Sequence, residues 1–267
     1  MLGAIIGDIV GSRFEFHNFR SKWFSLFHPS CTFTDDTILT LAVASAIKRY
    51  KTSRERGLYE LAQSEMRILA KAYPNASFGV NFREWLSDPE PQPYNSYGNG
   101  AAMRVSACAE LASSLEEAKY YAEEVTRVTH NHPEGMKAAE CVTHLVWEAM
   151  CGASKKRLED IAIGYYGPFT YAYQDLLKNN KFSECASETV PQAIFCFLQS
   201  NGFEDALRTA VSIGGDTDTI CAITGSIAEH YYGIPTWMKR ETMRYLDNRL
   251  TTILKSLLLY EMREIGV

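Results

Sequence analysis

A chain of 267 residues with 46% hydrophobic side chains is long enough to bury one large core or two small ones. Its formal net charge is −5 and it has no concentrated basic stripe, which argues against nucleic acid as a main partner. No uncharged run is long enough to cross a bilayer, and in the opening MLGAIIGDIVGS Asp8 breaks the apolar run with no Lys or Arg before it, against a secretory leader.

The seven cysteines, at positions 31, 108, 141, 151, 185, 196 and 221, are odd in number and form no C-x-x-C pair. That usage fits reduced, mostly buried thiols and a cytoplasmic location. From the N-terminus, Gly3, Gly7 and Gly11 recur every four residues, on one face of a helix that another helix backbone can approach closely. Apolar and small residues spaced by three and four then predict helices over Ile38–Tyr50, Arg54–Ala72, Ala101–Ser114, Leu115–Val128 and Glu134–Met150. The same spacing continues through Lys156–Ile163, Val190–Ser200, Phe203–Ser212, Thr219–Tyr232 and Lys239–Arg263. No stretch alternates as a strand does. The widest break, Asn75–Gly100, is rich in Pro, Gly, Asn and aromatics, and a loop that long in a compact domain is often functional. With no repeat, low-complexity tract or linker, the expected architecture is one all-α domain over residues 1–267.

Two acidic knots stand before predicted helices. In CTFTDDTILTLAVASAIKRY, residues 31–50, they are Thr34, Asp35, Asp36 and Thr37. In SIGGDTDTICAITGSIAEHYYG, residues 212–233, they are Asp216, Thr217, Asp218 and Thr219 behind two glycines. Helix capping alone accounts for Asp and Thr at such places. A cap needs one side-chain oxygen, however, and each knot offers at least four, while adjacent carboxylates repel unless neutralised. Hard divalent cations prefer such oxygens. If both helix starts met, four aspartates could hold two cations, able to polarise an oxygen or lower the pKa of a water.

Three further segments carry candidate chemistry. Glu15 lies between Phe14 and Phe16, which would desolvate it and raise its pKa for proton transfer; a surface glutamate paired with Arg13 or Arg20 is the plain alternative. PYNSYGNGAAMR, residues 93–104, has Gly98 and Gly100 before a helix expected near Ala101, either an ordinary turn or an anion cradle. VTHNHPEG, residues 128–135, has two histidines without the Cys or third His that a zinc site would add.

Taken together, GDxxGxxxE, TDDT, SYGNGAAMR, THNHPEG and GGDTDTI, in this order from Leu2 to about Pro235, resemble the ADP-ribosylglycohydrolase family. The resemblance implies a compact, orthogonal all-α bundle with a dimetal cleft. It implies two divalent cations, Mg²⁺ before Mn²⁺, held by Thr34, Asp35, Asp36, Asp216, Asp218 and Thr219, with Asp218 touching both. Thr37 and Thr217 are expected to cap or support, and Asp8 to bind a nearby helix start. The implied catalytic residues are Glu15, Asp35 and Asp218. Asn95, Ser96, Tyr97, Gly98, Asn99 and Gly100 would line the diphosphate of ADP-ribose, with Met103 in the same motif and Arg104 as an ion-pair or ligand residue. His130 would face the distal ribose or the acceptor, His132 would order its turn, and His144 would pack in a helix. Phe78, Phe82, Tyr94 and Tyr97 are candidates to stack on adenine. Glu229 and His230 lie too far along their helix to reach the same metals. Residues 152–188, outside the resemblance, are expected to form the wall that meets the acceptor. The implied reaction removes ADP-ribose from a modified acceptor protein, with an arginine linkage favoured over serine. A non-catalytic ADP-ribose or nucleotide binder on the same fold is the alternative, and a phosphohydrolase the other chemistry that two metals serve.

Overall fold

The computed structural model describes all residues except 54–55 and 259–267. The N-terminal part contains α1 (Leu2–Ser12), α2 (Asp35–Ser53), α3 (Leu58–Lys71) and α4 (Val80–Ser87). After a 3-10 turn at Asn99–Ala101 come α5 (Ser106–Glu110), α6 (Leu115–Thr126), α7 (Pro133–Met150), α8 (Lys155–Tyr166) and α9 (Tyr173–Asn179). The chain ends in α10 (Ala186–Leu198), α11 (Phe203–Ile213), α12 (Thr217–Tyr232), α13 (Thr236–Thr242) and α14 (Asn248–Leu257). Among the described residues the only β-type pairing is an isolated bridge between Gly98 and Cys185, so the expected all-α class holds.

Two helices run through the centre. In α1 every residue from Leu2 to Gly11 is buried, and in α12 every residue from Thr217 to Ala228. They lie along one another, with α2 beside α1, and α7, α10 and α11 around α12. The glycine face read from the sequence is what lets them touch. A Cβ on Gly3, Gly7 or Gly11 would come within 2.3, 2.1 or 2.4 Å of the carbonyl oxygens of Gly225, Cys221 and Thr217. Gly225 returns the constraint, since its own Cβ would sit 2.1 Å from the Gly3 carbonyl oxygen. At the far end of the seam Glu229 accepts the Gly3 amide at 2.7 Å and pairs with the Met1 amine at 2.8 Å. Glu229, too far along its helix to reach the acidic knots, therefore caps the first turn of α1.

Three predicted helices depart from the expectation. Ala101–Ser114 is reduced to the 3-10 turn and the five residues of α5. Thr40 Oγ1 donates to the Met103 carbonyl within it, and just ahead of it the Asn99 backbone amide donates to the Glu184 carbonyl at 2.7 Å. Lys239–Arg263 breaks into α13 and α14, because Asp247 Oδ1 accepts the Leu250 amide and starts a new helix; residues 259–263 lie outside the described residues. Arg54–Ala72 begins at Leu58, its first two positions also outside the described residues. Conversely, the wide break holds α4, which buries Phe82 and Trp85 one turn apart, and the segment 152–188 holds α9. All seven cysteines are free thiols, five of them buried. No described helix is long and apolar enough to cross a membrane.

Replacing Gly7 by alanine would place a methyl carbon against a carbonyl that cannot yield without parting α1 from α12. Gly7→Ala is expected to lower unfolding stability by about 2–3 kcal/mol, the usual scale of overpacking. Gly164→Ala, in exposed α8 with nothing within 4 Å, is expected to raise it by about 0.5–1 kcal/mol. Denaturant midpoints of both variants test this; a neutral Gly7→Ala would contradict the close seam.

Candidate active site

The seam delivers three acidic elements to one place. Asp8, fully buried on α1, accepts the backbone amides of Thr34 (2.9 Å) and Thr37 (3.1 Å) and both of their hydroxyls. It thereby caps the start of α2 from a different helix, the structural role expected of it. The carboxylates of the first knot are left free of that work. Asp36 Oδ1 is buried with no hydrogen-bond partner, while its Oδ2 takes weak bonds from Thr34 and Thr219 at 3.4 Å. The Thr219 contact crosses from α12 to α2, so the two knots meet. In the second knot Asp216 stands at the N-cap position without capping; its Oδ2 accepts the Asn99 amide at 2.6 Å. The supporting roles expected of Thr37 and Thr217 match their bonds, since Thr37 binds Asp8 and Thr217 Oγ1 donates to the Gly11 carbonyl.

Two triplets of carboxylates have oxygens within 4.8 Å of one another: Asp8, Asp36 and Asp218, and Glu15, Asp216 and Asp218. Asp218 is common to both. Asp35 is in neither triplet but lines the same cavity. Without cations this density is unfavourable. Burial, with the neighbouring carboxylates, pushes Asp36 and Asp218 well above the usual carboxylate range. Asp35 is pushed up to about 7 by burial and by Asp8 and Asp216. Glu15 rises to about 8 through desolvation and then the charges of Asp216, Asp35 and Asp8, against a hydrogen bond with Asp218. An all-oxygen set of buried carboxylates, one oxygen of which is unpartnered, is chemistry that a hard divalent cation fits.

The cavity above the knots measures about 750 Å³. Phe16, Asp35, Met103, His130, Glu184 and Asp218 are among its walls. From the glycine-rich segment, Ser96, Gly98, Asn99 and Gly100 line it, whereas Asn95 and Tyr97 do not. Both are exposed; the Asn95 amide donates to Asn131, and the Tyr97 ring meets His132 edge-on. Thr34 lies behind the knot against Asp8, outside the lining. Of the adenine candidates, Phe78, Phe82 and Tyr94 line the cavity, with Phe78 and Phe82 stacked on each other at 5.1 Å. His132 caps α7 by accepting the Glu134 amide, the turn-ordering role expected for it. His144 sits within α7, its Nδ1 3.3 Å from the Tyr165 hydroxyl. Among the described residues Arg104 makes no ion pair: its Nη2 donates to Thr129 Oγ1, and its Nε and Nη1 have no hydrogen-bond partner there.

In the wall from Asn75 to Arg83, sequence reading named only Phe78 and Phe82, and it did not single out Phe182 or Glu184. The Pro- and Gly-rich break marked the first region, and the unassigned segment 152–188 contained the second. Glu15 lies on an irregular strap after α1. Asn18 Oδ1 accepts the Gly215 amide at 2.6 Å, and Arg20 donates to the carbonyls of Ile213, Leu176 and Asn180. Positive φ at Gly214 (63°) and Gly215 (92°) makes the turn that this strap grips.

With this geometry in hand, comparison with known proteins is specific. The family model described as ADP-ribosylglycohydrolase matches residues 1–264. ADP-ribosylhydrolase ARH3 of Mus musculus is 25% identical, over 88% of this chain and 83% of its own length. The glycohydrolase of Rhodospirillum rubrum named for ADP-ribosyl-dinitrogen reductase is 25% identical, over 91% and 89%. The ADP-ribosylarginine hydrolase of Pseudomonas putida (strain GB-1) is 23% identical, over 90% and 72%. A solved structure titled as an ADP-ribosylglycohydrolase-related protein complex shares the fold, with a TM-score of 0.69 over 98% of this chain and 95% of that one at 24% identity.

The raised carboxyls give the cation-free protein a definite pH response. Asp8, Asp35 and Glu15 sit at about 6, 7 and 8. As pH rises from the ordinary carboxylate range of about 4 through these values, the unfolded chain has released protons that the folded chain still holds, so stability falls. In EDTA the thermal midpoint is expected to drop between about pH 5 and 8, and Mg²⁺ to restore it most at the alkaline end. A midpoint flat with pH and indifferent to Mg²⁺ and Mn²⁺ counts against a cation cluster.

Proposed function

The chain belongs to the ADP-ribosylglycohydrolase family and is an ADP-ribosyl hydrolase; within that family we propose that it removes ADP-ribose from arginine-linked acceptor protein, at a centre for two divalent cations. The observation that carries the reading is the meeting of the two acidic helix starts under one cavity, bridged by Thr219 and Asp36, with Glu15 beside them. The arginine linkage is supported by the name of the Pseudomonas putida relative and by the compact chain.

Thr34, Asp35, Asp36, Asp216, Asp218 and Thr219 would hold the cations, Asp218 serving both. Bound there, Mg²⁺ or Mn²⁺ supplies Lewis acidity toward an oxygen and a lowered pKa for water. The chain's own groups do the rest. Gly98 and Gly100 bring backbone close to the diphosphate, and Ser96 offers a hydroxyl from the same segment. Asn99 holds Asp216 through its side-chain amide, which couples the diphosphate segment to the second knot. His130 contacts the distal ribose. Glu15, on the solvent side of the knots, carries the proton that the departing acceptor or the attacking water exchanges. Cleavage leaves an oxocarbenium-like ribosyl carbon, as glycoside hydrolysis does generally.

Peptides ADP-ribosylated on arginine or on serine, incubated with Mg²⁺, Mn²⁺ or EDTA and followed for free ADP-ribose by mass spectrometry, test the reading. Release from the arginine peptide, abolished by EDTA, is expected. Asp218→Asn is expected to slow it by about 100-fold or more, since even outer partners of a metal site are worth about 10–100-fold. Glu15→Gln is expected to lower kcat by about 100-fold or more while ADP-ribose binding persists. Tight ADP-ribose binding by the wild type without turnover would favour a binding protein, and AMP as product a phosphohydrolase.

A further inference from the structure

Beneath the glycine-rich segment lies a chain of three side chains that reaction and family leave without assigned polarity. Arg104 is fully buried and donates through Nη2 to Thr129 Oγ1 at 2.7 Å. The same hydroxyl stands 2.7 Å from His130 Nδ1, and Arg104 Nη2 stands 3.4 Å from that nitrogen. We infer that Arg104 and Thr129 are positioning residues that fix His130 as the neutral tautomer with its hydrogen on Nε2, so that His130 meets a ligand as a hydrogen-bond donor and not as a base.

The assignment follows from hydrogen counting. A guanidinium has five N–H donors and no acceptor. A lone pair of Thr129 Oγ1 therefore receives Arg104. The Thr129 hydrogen is directed to His130 Nδ1, 2.7 Å away. A hydrogen on Nδ1 would instead face the hydrogens of Arg104 Nη2, 3.4 Å away. With Nδ1 as acceptor, the neutral ring carries its hydrogen on Nε2. Burial, and secondarily the Arg104 charge, holds His130 well below its usual range, so the ring is neutral.

Nε2 faces the segment expected to cradle the substrate. Cβ atoms on Gly98 and Gly100 would lie 3.5 and 3.2 Å from it. The matching ligand group is an oxygen acceptor, either a phosphoryl oxygen or a ribose hydroxyl oxygen. Only this ligand step rests on the ADP-ribose reading of the cavity; the tautomer does not.

Long-range ¹H–¹⁵N correlation spectra of the ligand-free protein test the tautomer, with His130 assigned by the loss of its signals in His130→Gln. Nδ1 is expected in the unprotonated and Nε2 in the protonated region from about pH 5 to 8. Thr129→Val, which removes the hydrogen that Nδ1 accepts, is expected to shift the Nδ1 resonance, and Thr129→Ser to keep the wild-type pattern. Calorimetric titration with ADP-ribose is expected to show about tenfold weaker binding for Thr129→Val, a change of about 1.4 kcal/mol, restored in Thr129→Ser. A parallel titration with ADP separates the sources: equal weakening points to a phosphoryl oxygen, and weakening for ADP-ribose alone to the distal ribose. Hydrogen on Nδ1 in the wild type overturns the inference, as does a valine variant unchanged in both spectrum and affinity. If the valine variant does not fold, the wild-type spectrum decides alone. A wild type with the expected tautomer that fails to bind ADP-ribose would sink the cavity's ligand reading and leave the tautomer standing.

Discussion

The contact between α1 and α12 is the constraint on which the rest depends. Four glycines, three on one helix and Gly225 on the other, let carbonyl oxygens of one backbone rest against Cα positions of the other. Side chains between two helices leave play of an ångström or more; backbone against backbone leaves almost none. That rigidity matters because the seam's site end carries Gly11 against Thr217, one residue from Asp216 and Asp218. Asp8, one turn before Gly11, then reaches sideways to hold the first turn of α2. Two helix starts far apart in sequence are thus fixed to a common reference, and their carboxylates come within a few ångströms by geometry rather than by attraction.

Attraction could not have done it. The cluster is repulsive, and burial first, then the neighbouring carboxylates, raise the proton affinities of Asp35, Asp36, Asp218 and Glu15. A fold that holds such groups together must obtain its stability elsewhere, here from an apolar core in which α1 and α12 are buried almost end to end. Asp8 differs from the others in kind. Its carboxylate is covered by four hydrogen bonds from Thr34 and Thr37 and acts as a cap, whereas Asp36 keeps an oxygen with no partner. Within one acidic cluster, then, one carboxylate shapes the site and another is left for a ligand.

Much of this was legible in the sequence for a physical reason: local features with few meanings survive folding. Glycines spaced by four have one main use in a soluble helix, and doubled Asp-Thr knots supply more oxygens than capping needs. Features set by tertiary contact were not legible. Ala101–Ser114 has helical spacing, yet Thr40 takes the Met103 carbonyl within it and Glu184 takes the Asn99 amide just ahead of it. Along residues 94–98 the chain alternates, so Tyr94, Ser96 and Gly98 face the cavity while Asn95 and Tyr97 face out. A motif read as a continuous block cannot express that pattern, in which Asn95 takes a left-handed backbone with φ 55°. The wall from Asn75 to Arg83 is close to the site only because α4 buries Phe82 and Trp85 beside it.

The same reference frame extends to Glu15, which lies beyond the end of α1. Glu15 follows α1 by three residues, where the chain has left helical geometry and could wander. Asn18 and Arg20 prevent this by binding the Gly215 amide and the Ile213 carbonyl on either side of the turn that opens α12. Gly214 has no room for a side chain there: its Cβ would lie 2.4 Å from Asn18 Oδ1 and 2.7 Å from the Arg20 guanidinium carbon. One turn therefore receives α1 through the glycine seam and the strap through Asn18 and Arg20, while starting the helix that carries Asp216 and Asp218. A carboxylate on an irregular segment is thereby held in register with Asp216 and Asp218.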